Sequence, residues 1–188
     1  MHSGWGVLVA VSGDADSLEV LERRRIVTAD PAVTGSKQPY HFAEGLELRE
    51  AERYLADCAA ASERLALEAI KGVAGNLEAR QYRIAGCALL LASGRALPSL
   101  PKILASHALI HTAEGECFRD AVKCACKRLE ISVTAIKERD LDDRARTAFG
   151  IDTSRVQRRN SSLGSSIGPP WTKDHKTAAL SAAIILAT

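Results

Sequence analysis

The sequence predicts a layered α/β domain, and three observations carry that expectation. Strand-like and helix-like segments interleave along the chain: a hairpin, then helix, strand, helix, strand, a loop and a last helix. Hydrophobic residues fill 46% of the 188 positions, enough to bury a full core in one domain. Only 4% of residues are aromatic, so Ala, Leu, Ile and Val must build that core. So much aliphatic surface offsets ordering entropy and excludes wholesale disorder. Lys plus Arg exceed Asp plus Glu by only 25 to 23, which leaves no global field for nucleic acid or membrane. Any such footprint is local.

Trp5 to Val11 (WGVLVAV) is an apolar run of strand length, apolar on both faces as a covered central strand is. Ser12 to Ser17 is a turn cluster. Leu18 to Thr28 resumes as the second strand of a hairpin, and its Glu22, Arg23, Arg24 and Arg25 suit a solvated or edge position. Asp30 to Tyr40 is a connection rich in Pro, Gly and Ser. From about Leu46 to Ile70, apolar and small residues recur at spacings of three and four, which predicts a long helix stopped by Gly72 and Gly75.

Arg83 to Ser93 reads as a buried strand, Gly94 to Pro98 as a loop, and Leu100 to Leu129 as a second long helix. Ile131 to Ile136 alternates and predicts a short strand. Little apolar periodicity follows, and a mobile loop is expected over about 140–171. Pro169-Pro170 ends it, and Thr172 reads as the N-cap of a closing helix from Lys173 to Leu186. No linker separates two cores, so residues 1–188 are expected to form a single domain.

The five cysteines are odd in number and form no CxxC pair, which predicts reduced, buried thiols. Met1 is followed by no basic segment with an apolar run after it, so a signal peptide is not expected, and no apolar stretch is long enough to span a bilayer. A cytoplasmic protein with no membrane partner is expected.

The order of elements resembles the ribonuclease H-like fold. Within it, the chain is most similar to the RuvC-type Holliday-junction resolvases. Ile103 to Lys137 resembles their long small-residue helix and next strand, and Asp174 to Ala183 (DHKTAALSAA) is similar to their closing acidic helix. The Gly-Pro-Pro-Trp and Asp-His-Lys ending also resembles a group of small uncharacterised bacterial proteins. The resemblance implies a three-layer domain, with a mixed β-sheet and N-terminal hairpin flanked by long helices. It further implies two divalent ions, Mg²⁺ or Mn²⁺, held by acids at strand ends and on the closing helix for phosphodiester cleavage of structured nucleic acid.

The chain departs from that pattern. Its first strand ends Val11-Ser12-Gly13 and its third ends Leu91-Ala92-Ser93, neither with an acid. Asp174 remains, Asp14 and Asp16 lie in the first turn, and Glu114 stands on the second long helix. Under the resemblance, Asp174, Asp14 and Glu114 are the catalytic candidates, and Asp174 and Asp14 the metal ligands. A depleted site is the favoured form of this reading. The alternative is a non-catalytic interaction or scaffold protein, expected as a homodimer, that keeps the fold without the chemistry. Asp174 also has a plain structural role, because a carboxylate in the first turn complements the helix dipole.

Arg155, Arg158 and Arg159 could contact phosphates, as could Arg23 to Arg25. No aromatic residue interleaves with them for base stacking, and a charge run is more often a solvated surface.

The second long helix carries a polar cluster. Ile103, His107, Ile110, Glu114, Cys117, Ala121 and Cys124 share one stripe, with His111 beside it. A carboxylate on such a face must be paired or hydrogen-bonded. Either it fixes how the helix docks, which is the commoner outcome, or it serves His107, His111 or a ligand. His107, His111 and Glu114 could together supply three zinc ligands, although no HExxH motif is present. Finally, His41-Phe42-Ala43-Glu44-Gly45 and His111-Thr112-Ala113-Glu114-Gly115 share the pattern HxAEG. Their flanks do not repeat, so chance is the simpler explanation. In one cleft, the two segments would hold enough ligands for a metal.

Overall fold

A computed structural model describes residues 1–91, 96–150 and 153–187. The protein is mixed α/β, and the chain packs into two compact units. One comprises Met1–Gly6, Ile26–Gly72 and Ala92–Glu130; the other comprises Val7–Arg25, Val73–Leu91 and Ile131–Thr188. A single domain was the expectation from the missing linker. Three of the boundaries fall inside regular elements, two in the hairpin strands and one in a long helix, so no composition shift marks them.

The predicted hairpin forms as β1 (Trp5–Ser12) and β2 (Glu19–Val27). Its turn needs glycine at Gly13, where φ is +92° and an added Cβ would lie 2.5 Å from the Ser17 carbonyl oxygen. The strands predicted at Arg83–Ser93 and Ile131–Ile136 form as β3 (Cys87–Leu91) and β4 (Val133–Lys137). These two pair in parallel, from Cys87 opposite Val133 to Leu91 opposite Lys137. Among the described residues the strands make two separate two-stranded sheets, β1 with β2 and β3 with β4.

In the first unit, α1 is a short helix (Pro39–Ala43) that opens on Pro39, whose fixed φ suits a first helical position. α2 spans Leu48–Ala79, nine residues beyond the predicted end at Ile70. Gly72 and Gly75 do not stop it, because glycine inside a helix costs only about 1 kcal/mol. Buried Ile70, Val73 and Leu77 carry the apolar stripe past both glycines. The chain turns out only at Gln81, in the left-handed region at φ 63°.

The second predicted helix is broken. α3 is Leu100–Leu104 and α4 is His107–Arg128, because Ser106 takes an extended conformation at φ −142°. Ile103, Ile110 and Ala113 form a small core with partly buried Tyr40, Leu97 and Leu109, which seats α1 against α3 and α4.

The second unit holds the largest departure from expectation. The stretch read as a mobile loop carries two helices, α5 (Leu141–Phe149) and α6 (Thr153–Ile167). Leu141, Ala145 and Val156 from them join Ile136 of β4 and Leu180 and Ile184 of the closing helix in one core. Few apolar residues are present, but Leu141, Ala145 and Val156 stand at spacings that let the helices bury them, and Leu163 joins a second small core with Leu18 and Ala183.

α7 is Lys173–Leu186 with Thr172 as N-cap, as predicted. His175 at its third position accepts from the Thr172 backbone N–H, closing a capping box. The guanidinium of Arg23 donates to the carbonyl oxygens of Ile167, Gly168, Pro169 and Pro170 just ahead of α7.

Candidate metal centre

The candidate site lies in the first unit, where α1 meets the start of α4. Pro39 and Ala43, one turn apart on α1, are buried, and Tyr40 packs into the Ile103–Ile110–Ala113 core. With that face anchored, His41 is presented to α4. The break at Ser106 makes His107 the first residue of α4, and His111 follows one turn later on the same side.

Glu114 is 4% exposed and is satisfied twice by His41. Its Oε1 accepts from the His41 backbone N–H at 3.2 Å and lies 2.8 Å from His41 Nδ1. A carboxylate oxygen accepts at that position, so Nδ1 carries a proton, and in the neutral ring Nε2 is the nitrogen with the free lone pair. This is the carboxylate–histidine arrangement that orients an imidazole toward a metal.

The other two histidines close around the same point. His107 Nε2 and His111 Nε2 stand 3.0 Å apart. The His41 ring centroid is 5.1 Å from that of His107 and 4.7 Å from that of His111. One nitrogen from each of the three rings lies within 4.8 Å of the others. Among the described residues, this is the one group of three or more His, Cys, Asp or Glu that could hold an ion. His107 and His111 are exposed, and His41 is half-buried.

The surroundings keep other potential ligands protonated. Burial pushes the Tyr40 phenol up to about 12, and the nearby Cys117, Asp120 and Glu114 add to the shift. Burial likewise pushes the Cys117 thiol up to about 11. None of the five cysteines is in a disulfide; Cys58 and Cys126 are buried, and Cys87, Cys117 and Cys124 are partly exposed.

The structure thus brings together His107, His111 and Glu114 from the polar cluster and adds His41 from the first HxAEG segment. Glu44 of that segment is exposed and outside the group. His107 does not sit on an apolar face, because the helix break moves it to an exposed first turn. The sequence signal that could find His41 was the repeated HxAEG pattern, for which chance was the simpler explanation.

The remaining candidates lie elsewhere. Asp14 closes its own turn: its Oδ1 accepts from the Ser17 hydroxyl and from the backbone N–H groups of Asp16 and Ser17. The Ser17 contacts hold its carboxyl below the usual carboxylate range. Asp174 occupies the first turn of α7. Both belong to the second unit, whereas Glu114 belongs to the first. Arg155 pairs with Asp16 at 2.7 Å, and Arg159 Nε donates to the Leu18 carbonyl. Arg158 is exposed on α6. Leu91 ends β3, while Ala92, Ser93 and the start of the predicted loop after them lie outside the described residues.

No family model matches the chain, and neither a curated protein nor a solved structure matches it. No described helix is long and apolar enough to cross a membrane.

Proposed function

We propose that this protein binds one divalent transition-metal ion of the zinc class through His41, His107 and His111. Glu114 orients His41, and a fourth coordination position faces solvent. The carrying observation is the 3.0 Å separation of His107 Nε2 and His111 Nε2, with His41 beside them. Two imidazole nitrogens at that distance share a proton in an N–H···N hydrogen bond or share a cation, and the third imidazole beside them favours the cation.

Tetrahedral zinc with bonds of 2.0–2.1 Å places its nitrogens about 3.3 Å apart. The three nitrogens lie within 4.8 Å of one another and would draw together to that spacing around an ion, with the exposed His107 and His111 rings the ones that have room to turn. An all-imidazole donor set suits zinc, copper, nickel or iron, whereas magnesium and calcium take oxygen ligands.

Titration of metal-stripped protein with Zn²⁺ and Co²⁺ tests the reading. One ion should bind per chain, and cobalt should give visible bands of a nitrogen-ligated site. His107→Ala and His111→Ala should each lose them. No heat and no cobalt bands in the unaltered protein, or undiminished binding in both variants, would overturn it.

A second proposal, the ribonuclease H-like relation, rests on the order of strands and helices along the sequence; among the described residues two separate two-stranded sheets stand where that relation implies one mixed sheet. Under that reading Mg²⁺ or Mn²⁺ is held by Asp174 and Asp14, and Arg155, Arg158 and Arg159 meet phosphates of structured nucleic acid. Asp174→Asn separates the proposals, since it should abolish Mn²⁺ binding under the second and leave Zn²⁺ binding intact under the first.

A further inference from the structure

Resting on the three-histidine reading, we infer that the bound ion makes this a hydrolytic centre acting on small carboxylic esters through its coordinated water. Two features lead there, and the first is charge. Imidazoles are neutral donors, so the ion keeps its full double charge, and such an ion supplies a strong nucleophile from water at neutral pH. A carboxylate ligand would weaken that effect, but Glu114 is turned onto His41 Nδ1 and lies outside the ligand group.

The second feature is access. His107 and His111 are exposed, so the remaining coordination position opens to solvent. Catalytic zinc sites keep such a position, whereas structural sites close it with a fourth protein ligand.

The reaction needs no further reactant. The water-derived oxygen forms a bond to the acyl carbon and the acyl–alkoxy bond breaks. The leaving alkoxide takes up a proton, and a carboxylate, an alcohol and one proton result. A new water then enters the open position. Nothing is oxidised or reduced.

The test uses the full chain and 4-nitrophenyl acetate as the probe ester, with zinc-loaded, cobalt-loaded and metal-stripped protein compared. The loaded forms should release nitrophenol at least tenfold faster than the stripped form, and re-adding zinc should restore the rate. Azide should shift the cobalt bands and inhibit hydrolysis over one concentration range, because it competes for the open position. Hydrolysis as fast in stripped as in loaded protein would mean imidazole acting alone and would overturn the inference. One-to-one metal binding with no rate gain, or azide without effect on the cobalt bands, would also overturn it while leaving the binding site standing. Failure to bind zinc or cobalt at all would remove both. Comparing loaded with stripped protein keeps the outcome independent of whether any variant folds.

Discussion

Glu114 is the residue on which the candidate centre turns. Its oxygen receives both the backbone N–H and the ring N–H of His41, so one carboxylate sets the position and the tautomer of that imidazole. Glu114→Gln should therefore keep the docking of α1 while weakening orientation, and zinc affinity should fall about 10–100-fold. Competition titration against a chelator of known affinity measures this, and unchanged affinity would show that Glu114 acts on docking alone. Replacement by Ala leaves the His41 backbone donor without this partner, with a further loss of about 1–3 kcal/mol in thermal or urea unfolding. A buried carboxylate among apolar residues was visible in the sequence as an anomaly. Its partner was not, because His41 lies 73 positions away and only the fold of α1 onto α4 joins them.

At the scale of elements, the four strands and the closing helix are what could be read in advance. The closing helix falls on the predicted residues because Thr172 and the residues after it hold both a cap signal and an apolar face. Its capping box makes it sensitive to acid. Burial first, and the charge of Arg23 second, hold His175 below its ordinary pKa. The unfolded chain therefore takes the proton first as pH falls. Stability from this residue is full above about pH 6.5 and is lost below that value toward the folded pKa. The melting temperature should drop between pH 7 and pH 5, and His175→Gln, which retains an acceptor for Thr172, should flatten that drop. An equal slope in the variant would place the sensitivity elsewhere.

α5 and α6 show where periodicity fails as a guide. Aspartates and arginines crowd α5, arginines and serines dominate α6, and single apolar residues such as Val156 and Leu163 stand two turns apart. Tertiary packing makes those few residues sufficient. Leu141→Ala should cost about 2–5 kcal/mol, the range for a buried leucine, and not the near-zero cost of a loop position. Denaturant unfolding gives the value directly. Strand partners were equally hidden. A hydrophobic run predicts that a strand exists, but which strand it pairs with depends on contacts far apart in sequence, as between β3 and β4.

For the whole molecule, a bound ion would act on one unit before the other. The three histidines and Glu114 all belong to the first unit, so metal binding stabilises that unit by mass action, by about 2.7 kcal/mol at a hundredfold excess over Kd. Hydrogen exchange should slow at residues 39–43 and along the first turns of α4 on zinc addition, with little change in β3, β4 and α7. Uniform slowing throughout would mean that the two units open together. The mixed α/β class was legible because it depends only on the interleaving of patterns. The division into two units was not, since continuous strands and a continuous helix carry the chain across each of three boundaries.

The four carbonyl oxygens gathered around Arg23 give the second unit a fastening of a particular kind. The cation is met by dipoles at contact distance, and dissolved ions compete poorly with such neighbours, whereas they readily screen a pair of exposed opposite charges. The junction between β2 and the residues entering α7 should therefore hold in concentrated brine. Surface pairs such as Arg146 with Asp143 would by then contribute nothing.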